Sequence, residues 1–284
     1  MPQLTNLKTC LIAASVLGFF SLNANATLTS YTSDGKDLVY SSISDVTWTK
    51  DANLLGSMIA ANGYDNVVNA IIAASPTVTS LPNPDSAPTG VYTISQNDFD
   101  GEFVSWYGAV AFVSYLNSIE YGGSNRWQLP KAMTLENSNC ASDASFPVCS
   151  YDAIVLGNGA TAGNELAELY FNELGGRSTK TLDGVFYPGT GMPQTDIFDN
   201  ESDGFGFNPS FVTGTEVLSN SNLNYYFDTR HGRQLSFLKD WASYYVWAIT
   251  PGLITAVPEP ESLGMLMAGL GLISLIKRRG RLNS

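Results

Sequence analysis

The sequence predicts an α+β domain of short strands and two main helices, with a trafficking segment at each end. Three observations support this fold class. Apolar residues recur at helical spacing in 106–116 and 164–176. Short runs rich in Val, Tyr, Phe and Trp lie between turn residues, as is typical of strands and hairpins. Finally, an uncharged apolar run lies near each terminus.

Residues 1–26 have the features of a secretory signal peptide. Lys8 precedes an apolar run, and Ala24 and Ala26 form a small-residue cleavage site. A first core helix is the alternative, but the run begins near the terminus and stops at the cleavage site. We therefore expect signal peptidase to cut after Ala26 during export.

Residues 27–255 are expected to form one domain, which begins with a hairpin. Leu38–Tyr40 and Val46–Trp48 are its predicted strands. Asp65 is predicted to cap a short helix that runs to Ala74. Residues 75–90 contain several prolines, which predict an exposed loop insertion.

A longer amphipathic helix is predicted after Trp106, ending near Gly122, with a short strand at 127–130. The second main helix is predicted over 164–176, with Asn164 as its N-cap. Segments 211–217 and 244–250 are predicted strands, and 224–237 is a predicted hairpin with its turn at 230–232. Because segment 244–250 is apolar on both faces, we expect a central, covered strand.

The tail, residues 256–284, has three parts: a Pro-Glu-Pro motif, an apolar run and a basic cluster. As a helix, the uncharged run Ser262–Ile276 spans roughly 22 Å, less than a bilayer core of about 30 Å. A basic cluster of this kind tends to stay cytoplasmic, so the preceding domain is expected outside the cytoplasm.

This tail resembles the PEP-CTERM sorting signal. In that family, exosortase, a membrane protease-transpeptidase, removes the tail during export in Gram-negative bacteria that make exopolysaccharide. The resemblance implies a cell-envelope or extracellular location after a transient stay in the inner membrane. A plain tail anchor is the alternative. The residues that carry the resemblance are Pro258, Glu259, Pro260, Arg278 and Arg279.

Composition limits the partners and the redox compartment. The chain has a formal net charge of −12, and its two trafficking segments contain more basic than acidic residues. Such an acidic domain disfavours nucleic acid and suits calcium or a neutral or cationic partner. Cys140 and Cys149 remain after removal of the signal peptide, and we expect a disulfide between them. Zinc is the less favoured reading because His231 is the only histidine.

Five segments between residues 37 and 254 resemble the Lcl C-terminal domain family. They are Trp48–Asn53, Trp127–Pro130, Glu165–Gly175, Gly214–Glu216 and Val246–Gly252, with departures from the family pattern at Gln128, Lys131 and Thr250. The resemblance implies a fold similar to C-type lectins and the formylglycine-generating enzyme, with twisted antiparallel sheets. It also implies that the aromatic and proline positions of these segments are structural core rather than ligand platforms. These positions are Trp48, Trp127, Pro130 and Trp247.

No catalytic constellation is recognisable in the sequence. His231 lies in a predicted turn, no Gly-x-Ser-x-Gly motif occurs, and the carboxylates of 164–176 are expected on a solvated face. One acidic loop is a calcium candidate, because Asp199, Glu201 and Asp203 alternate before a glycine. An exposed polar loop is the other interpretation.

We therefore expect a non-enzymatic protein of the envelope or matrix that binds polysaccharide or another surface component. It needs no cofactor, with calcium as the possible exception. A hydrolase or oxidase acting on matrix polymer and a purely structural coat component are the alternatives.

Overall fold

The structure is a computed structural model. It describes residues 28–133, 163–177, 192–193, 195–201, 210–230 and 232–254, and the backbone alone at 141–143 and 146–148. Over these residues the fold is mixed α+β, with several antiparallel sheets and few helices. Both predicted trafficking segments lie outside the described residues.

Thirteen strands are described. They are β1 Leu28–Ser33, β2 Lys36–Ser41, β3 Val46–Thr49, β4 Thr77–Thr79, β5 Val91–Thr93, β6 Phe99–Asp100, β7 Phe103–Val104, β8 Ala141–Asp143, β9 Phe146–Val148, β10 Ser210–Glu216, β11 Leu223–Asp228, β12 Arg233–Leu238 and β13 Ile249–Pro251. The α-helices are α1 Leu54–Asn62, α2 Tyr64–Ala74, α3 Trp106–Ser118 and α4 Glu165–Glu168. A π-helix, Leu169–Glu173, continues α4, and 3₁₀ turns lie at Gln96–Asp98 and Tyr121–Gly123.

The largest sheet has the order β1-β2-β3-β13. Its β2–β3 hairpin is the one predicted, with Val39 opposite Trp48. The last strand, β13, pairs antiparallel with β3 and places Ile249 on the other side of Trp48. This strand is shorter than predicted, although the whole segment from Tyr244 to Thr250 is buried. The sheet therefore joins the beginning of the domain to its end.

A second sheet, β10-β11-β12, contains the predicted strands of the C-terminal half. Its β11–β12 hairpin pairs Asp228 with Arg233 across a turn in which Gly232 has a φ of 60°. The β10–β11 pairing shifts register between Val212 and Glu216. The irregularity lies where the Gly214 N–H donates to the carbonyl oxygen of Pro130 at 2.8 Å, so it docks the strand onto another segment.

Helices α1 to α3 pack as a group beside these sheets. The prediction of α3 is confirmed, and its N-cap Ser105 accepts from the N–H of Gly108 at 3.0 Å. The predicted cap of α2 is wrong by two residues: Gly63 occupies the N-cap, and Asp65 lies in the first turn, where a carboxylate favours the positive end of the helix dipole. Helix α1 was not predicted, and Asn53 caps it.

The second main helix is shorter than predicted. Asn164 is the N-cap, as expected, and accepts from Ala167 N–H at 3.0 Å. The α-helix ends after Glu168, and a π-helix carries the chain to Glu173. The change of winding places Leu169 and Tyr170 in the core.

The proline-rich segment 75–90 is exposed at its prolines, as predicted, but it is not a plain loop. Thr77–Thr79 pairs with β5, and Asn83 bridges to Ala87. Asn83 and Ala87 are buried together with Val78. The prolines lie outside the paired residues, so none of them removes a strand hydrogen bond, and part of the segment packs onto the domain despite its composition.

Candidate functional site

The four predicted structural residues all lie in the interior. Trp48 and Trp247 are fully buried in one hydrophobic cluster, and Trp127 lies in the neighbouring cluster. The Trp127 indole N–H donates to the carbonyl oxygen of Tyr121 at 2.8 Å. Pro130 is also buried. None of the four offers a surface to a ligand.

The described part of the calcium candidate loop is occupied by internal contacts. Asp199 lies 3.2 Å from the Lys50 ammonium, and its backbone bridges that of Asp51. Glu201 is buried and accepts from the N–H of Thr195 at 2.6 Å. Among the described residues, no group of three His, Cys, Asp or Glu side chains is arranged to hold a metal ion.

Several predicted site residues lie outside the described part of the chain. Asp203 is one of them, so the calcium prediction stays a prediction. The others belong to the disulfide and to the trafficking signals, namely Cys140, Cys149, Ala24, Ala26, Pro258, Glu259, Pro260, Arg278 and Arg279.

An exposed aromatic surface lies just beyond the end of β12. Trp241 is 56% exposed, whereas the other aromatic side chains of the described residues are buried or half-buried. Phe237 supports it edge-on, with ring centroids 6.0 Å apart. Phe237 in turn contacts Tyr244, which packs on Tyr226 at 4.9 Å. We call Trp241, Phe237 and Tyr226, with the neighbouring Asp240, the Trp241 surface, and Tyr244 lies buried beneath it.

A buried ion pair holds the backbone of this surface. Lys239 is fully buried, and its ammonium group contacts the Glu216 carboxylate and lies 5.1 Å from the centroid of the Trp106 ring. The Lys239 N–H donates to the carbonyl oxygen of Asn222 at 2.9 Å. The chain on the N-terminal side of Trp241 is therefore fixed to the β10–β11 turn, so the aromatic group is displayed from a rigid base.

The polar groups of the Trp241 surface are neutral or acidic. Burial, followed by the charge of Asp228, raises the pKa of Tyr226 to about 12. Burial likewise raises the pKa of Tyr244. Both phenols therefore stay protonated at neutral pH. The exposed Asp240 adds a carboxylate beside Trp241, so the surface combines an aromatic face with a carboxylate and the half-buried Tyr226.

A second polar cluster joins the π-helix to the β2–β3 turn. Both carboxylate oxygens of Glu173 lie 2.9 Å from the Ser41 hydroxyl, and Glu168 accepts from the Ser44 hydroxyl at 2.7 Å. Burial is the main cause that raises the pKa of Glu173 to about 7, and the Glu168 charge adds to it. The expectation that these carboxylates form a solvated face is therefore wrong for Glu173, and also for Glu165, which is buried.

Neither the exposure of Trp241 nor the contact of Glu173 with Ser41 was predicted from the sequence. Trp241 follows a Lys-Asp pair and precedes small residues. A large aromatic residue among such neighbours does not belong to the alternating apolar pattern of a strand, and this was the available sign of its exposure. The Glu173 cluster depends on the π-helix and on a contact with a distant turn, and neither has a local sequence signal.

The tail is the part of the chain that a known family matches. The PEP-CTERM protein-sorting motif matches residues 256–281. This motif indicates an exported surface protein that exosortase processes. It also implies transient membrane anchoring before cleavage. No curated protein and no solved structure matches the chain. Within the described residues, which exclude the tail, no helix has the length and apolar character needed to cross a membrane.

Proposed function

We propose that the mature protein is a non-enzymatic component of the cell envelope or extracellular matrix that binds neutral polysaccharide through the Trp241 surface. The single observation that carries this proposal is the 56% exposure of Trp241 on a rigid base. Tryptophan is enriched at interfaces, because it combines a large apolar ring with a polar N–H group. The apolar face of a pyranose ring stacks on such a side chain.

The charge of the protein favours a neutral glycan over an acidic one. The chain carries a formal net charge of −12, and Asp240 lies next to the aromatic platform. A polyanion is repelled by this field, whereas sugar hydroxyls donate hydrogen bonds to carboxylates and amides.

We further propose that the domain is of the Lcl C-terminal, C-type-lectin-like type. Support comes from contacts among the motif segments of that resemblance. Trp48 pairs with Ile249, Gln128 also bridges to Ile249, and Gly214 donates to the Pro130 carbonyl oxygen. Four of the five motif segments therefore meet in one place, as structural motifs of one fold should.

The binding proposal is tested with the mature domain on a panel of neutral and acidic polysaccharides. We expect saturable binding to neutral polymers without release of sugar. Trp241→Ala should weaken binding at least tenfold, about 1.4 kcal/mol, while Trp241→Phe retains part of it. Ile43→Ala, at another partly exposed apolar position, is the matched control. Equal binding by Trp241→Ala and wild type contradicts the proposed surface.

The Glu168–Glu173 cluster favours the alternative of a hydrolase on matrix polymer. Glycoside hydrolysis uses two carboxyl groups, one of which is held protonated near neutral pH. Release of reducing sugar that disappears in Glu173→Gln but persists in Trp241→Ala establishes this alternative. Absence of both binding and release across the panel favours the purely structural coat component.

Processing is tested by intact-mass analysis of protein from cells with and without exosortase. We expect the mature chain to begin near Thr27 and to lose the apolar tail beyond about Pro260 only when exosortase is present. Signal peptidase and exosortase are then its processing partners. Retention of the whole tail in exosortase-containing cells contradicts the expected removal.

A further inference from the structure

A cleft separate from the Trp241 surface lies between α1, α2, the end of α3 and the start of β2. Its volume is about 290 Å³. The lining combines an apolar part, a pair of amides, two tyrosines and one lysine: Met58, Val67, Ala70, Ile119, Asn62, Asn66, Tyr115, Tyr121 and Lys36. Pockets for drug-sized ligands are of roughly 300–1,000 Å³, so this cleft suits one small ring.

The polar side of the cleft presents both donors and acceptors. The Lys36 ammonium lies 5.5 Å from the centroid of the Tyr121 ring. The amide nitrogen of Asn62 donates to the Met58 carbonyl oxygen, and that of Asn66 donates to the Asn62 carbonyl oxygen. Both bonds are made by the amide nitrogens. The side-chain oxygens of Asn62 and Asn66 accept no hydrogen bond from a described residue. The oxygens are therefore available to hydroxyl donors.

The apolar side of the cleft has one exposed residue, Ile119, beside side chains that are buried or half-buried. Ile119 is 45% exposed at the end of α3, and Val67 and Met58 lie on the facing helices. An exposed large aliphatic side chain beside a concavity lowers the free energy of a ligand that brings an apolar group to it. A fully hydroxylated sugar ring has no such group, whereas an acetamido substituent carries a methyl group and a carbonyl oxygen together.

The charges around the cleft favour a neutral ligand over a strongly anionic one. Burial raises the pKa of Tyr121 to about 12, and the charges of Asp51 and Asp37 add to the rise. These two carboxylates lie near enough to oppose the positive charge of Lys36 at the cleft. One lysine therefore serves as a hydrogen-bond donor to a neutral carbonyl oxygen rather than as the centre of an anion site.

We propose that this cleft binds one N-acetylated hexose unit, with the methyl group against Ile119, the acetamide carbonyl oxygen facing Lys36 and ring hydroxyls facing the two asparagines. The proposal rests on the proposed polysaccharide-binding function and names a sugar class for it. The cleft and the Trp241 surface are separate places on the domain. One protein molecule therefore contacts its polysaccharide at both.

The experiment is a titration of the mature domain with N-acetylglucosamine, N-acetylgalactosamine, glucose and glucuronate, followed by NMR chemical shifts. A buried methyl group predicts that at least one of the N-acetylated sugars binds about fourfold tighter than glucose. Ile119→Gln and Lys36→Met should each weaken that binding severalfold. The matched controls, Leu253→Gln and Lys131→Met, change exposed residues that do not line the cleft and should leave it unchanged.

Equal affinity for glucose and both N-acetylated sugars, or equal binding by the cleft variants and wild type, overturns the proposal. Tighter binding of glucuronate than of any N-acetylated sugar also overturns it. Trp241→Ala distinguishes polysaccharide binding at the Trp241 surface from sugar binding in the cleft. If this variant loses polymer binding and no free sugar binds the wild-type domain, the polysaccharide function stands and the cleft assignment fails. If free sugar shifts the cleft residues but no polymer binds, the cleft stands and the Trp241 surface fails.

Discussion

The indole rings of Trp48 and Trp247 lie 4.9 Å apart between centroids, with 60° between their planes, although they come from opposite ends of the domain. Both are fully buried. The Trp247 N–H donates to the carbonyl oxygen of Thr49 at 2.9 Å, whereas the Trp48 N–H has no hydrogen-bond partner among the described residues. The two rings are equally buried but differ in hydrogen bonding.

This difference predicts unequal costs for the same substitution. Trp247→Phe and Trp48→Phe remove the same ring volume, but only the first breaks a hydrogen bond. The second removes an unpaired buried N–H, which itself costs free energy. We expect Trp247→Phe to lower the free energy of unfolding by about 1–2 kcal/mol more than Trp48→Phe. Denaturant unfolding of both variants measures this, and equal losses contradict it.

The buried Lys239 predicts a strong asymmetry between single and double variants. Glu216→Ala leaves a fully buried ammonium group without its carboxylate, so we expect a loss of about 3–5 kcal/mol. Replacing both residues, as Lys239→Met with Glu216→Leu, should recover most of that loss because no charge stays buried. Lys50→Gln, in a more exposed pair, should cost less than about 1 kcal/mol. A double variant as unstable as the single one argues against this account.

The raised pKa of Glu173 predicts a pH-dependent effect of its removal. Its pKa rises from the ordinary value of 4.5 to about 7, so the folded state favours the protonated carboxyl. The stability it contributes is full below pH 4.5 and is lost as the pH rises through about 7. Glu173→Gln should therefore stabilise the protein at pH 8 by roughly 1 kcal/mol, allowing for its solvent contact, and change little at pH 4.5.

Thermal melts at several pH values measure this effect. Glu120→Gln, an exposed carboxylate, is the control and should show no such trend. A stabilisation by Glu173→Gln that is the same at pH 4.5 and pH 8 shows that the carboxyl is not protonated in the folded state near neutrality.

Lys50 competes with calcium for the Asp199 carboxylate at the predicted calcium loop. Asp199 faces the Lys50 ammonium at 3.2 Å, so an ion bound at the predicted loop with Asp203 must displace that contact. At a free concentration 100 times the dissociation constant, calcium should add about 2.7 kcal/mol, a shift of about 5–10 °C in Tm. Lys50→Gln should enlarge the shift, and Asp199→Ala or Asp203→Ala should remove it. Identical melts with calcium and with chelator leave no calcium site in this loop.

The predicted disulfide depends on the exported location of the domain. Peptide mapping of the exported protein without reduction should give one fragment that links Cys140 to Cys149, because both thiols reach an oxidising compartment. Free thiols at both positions contradict the linkage. Protein made with its signal peptide deleted provides the reduced reference.

The elements with local signals were predictable from the sequence. The β2–β3 hairpin and α3 follow from alternation, from apolar spacing and from turn residues. Helix α1 escaped detection because Leu54–Asn62 is apolar on most faces and shows little amphipathic pattern, so its Asn53 cap was the remaining sign. The burial of Ala87 and Glu165 depends on contacts with residues distant in the chain, and no local pattern records these.

The end of the described domain lies beside its beginning, and the segment that follows it is short. The Ile254 N–H donates to the Tyr31 hydroxyl at 3.3 Å, so the exit of the domain lies against β1, which begins two residues after the predicted signal-peptide cut. From Ile254 to the start of the apolar run at Ser262, an extended chain reaches at most about 28 Å. Before cleavage, the folded domain is thus confined to a thin layer above the lipid, where it diffuses in two dimensions. After exosortase cuts the tail, the domain diffuses in three dimensions and encounters a partner in a volume rather than along the membrane plane.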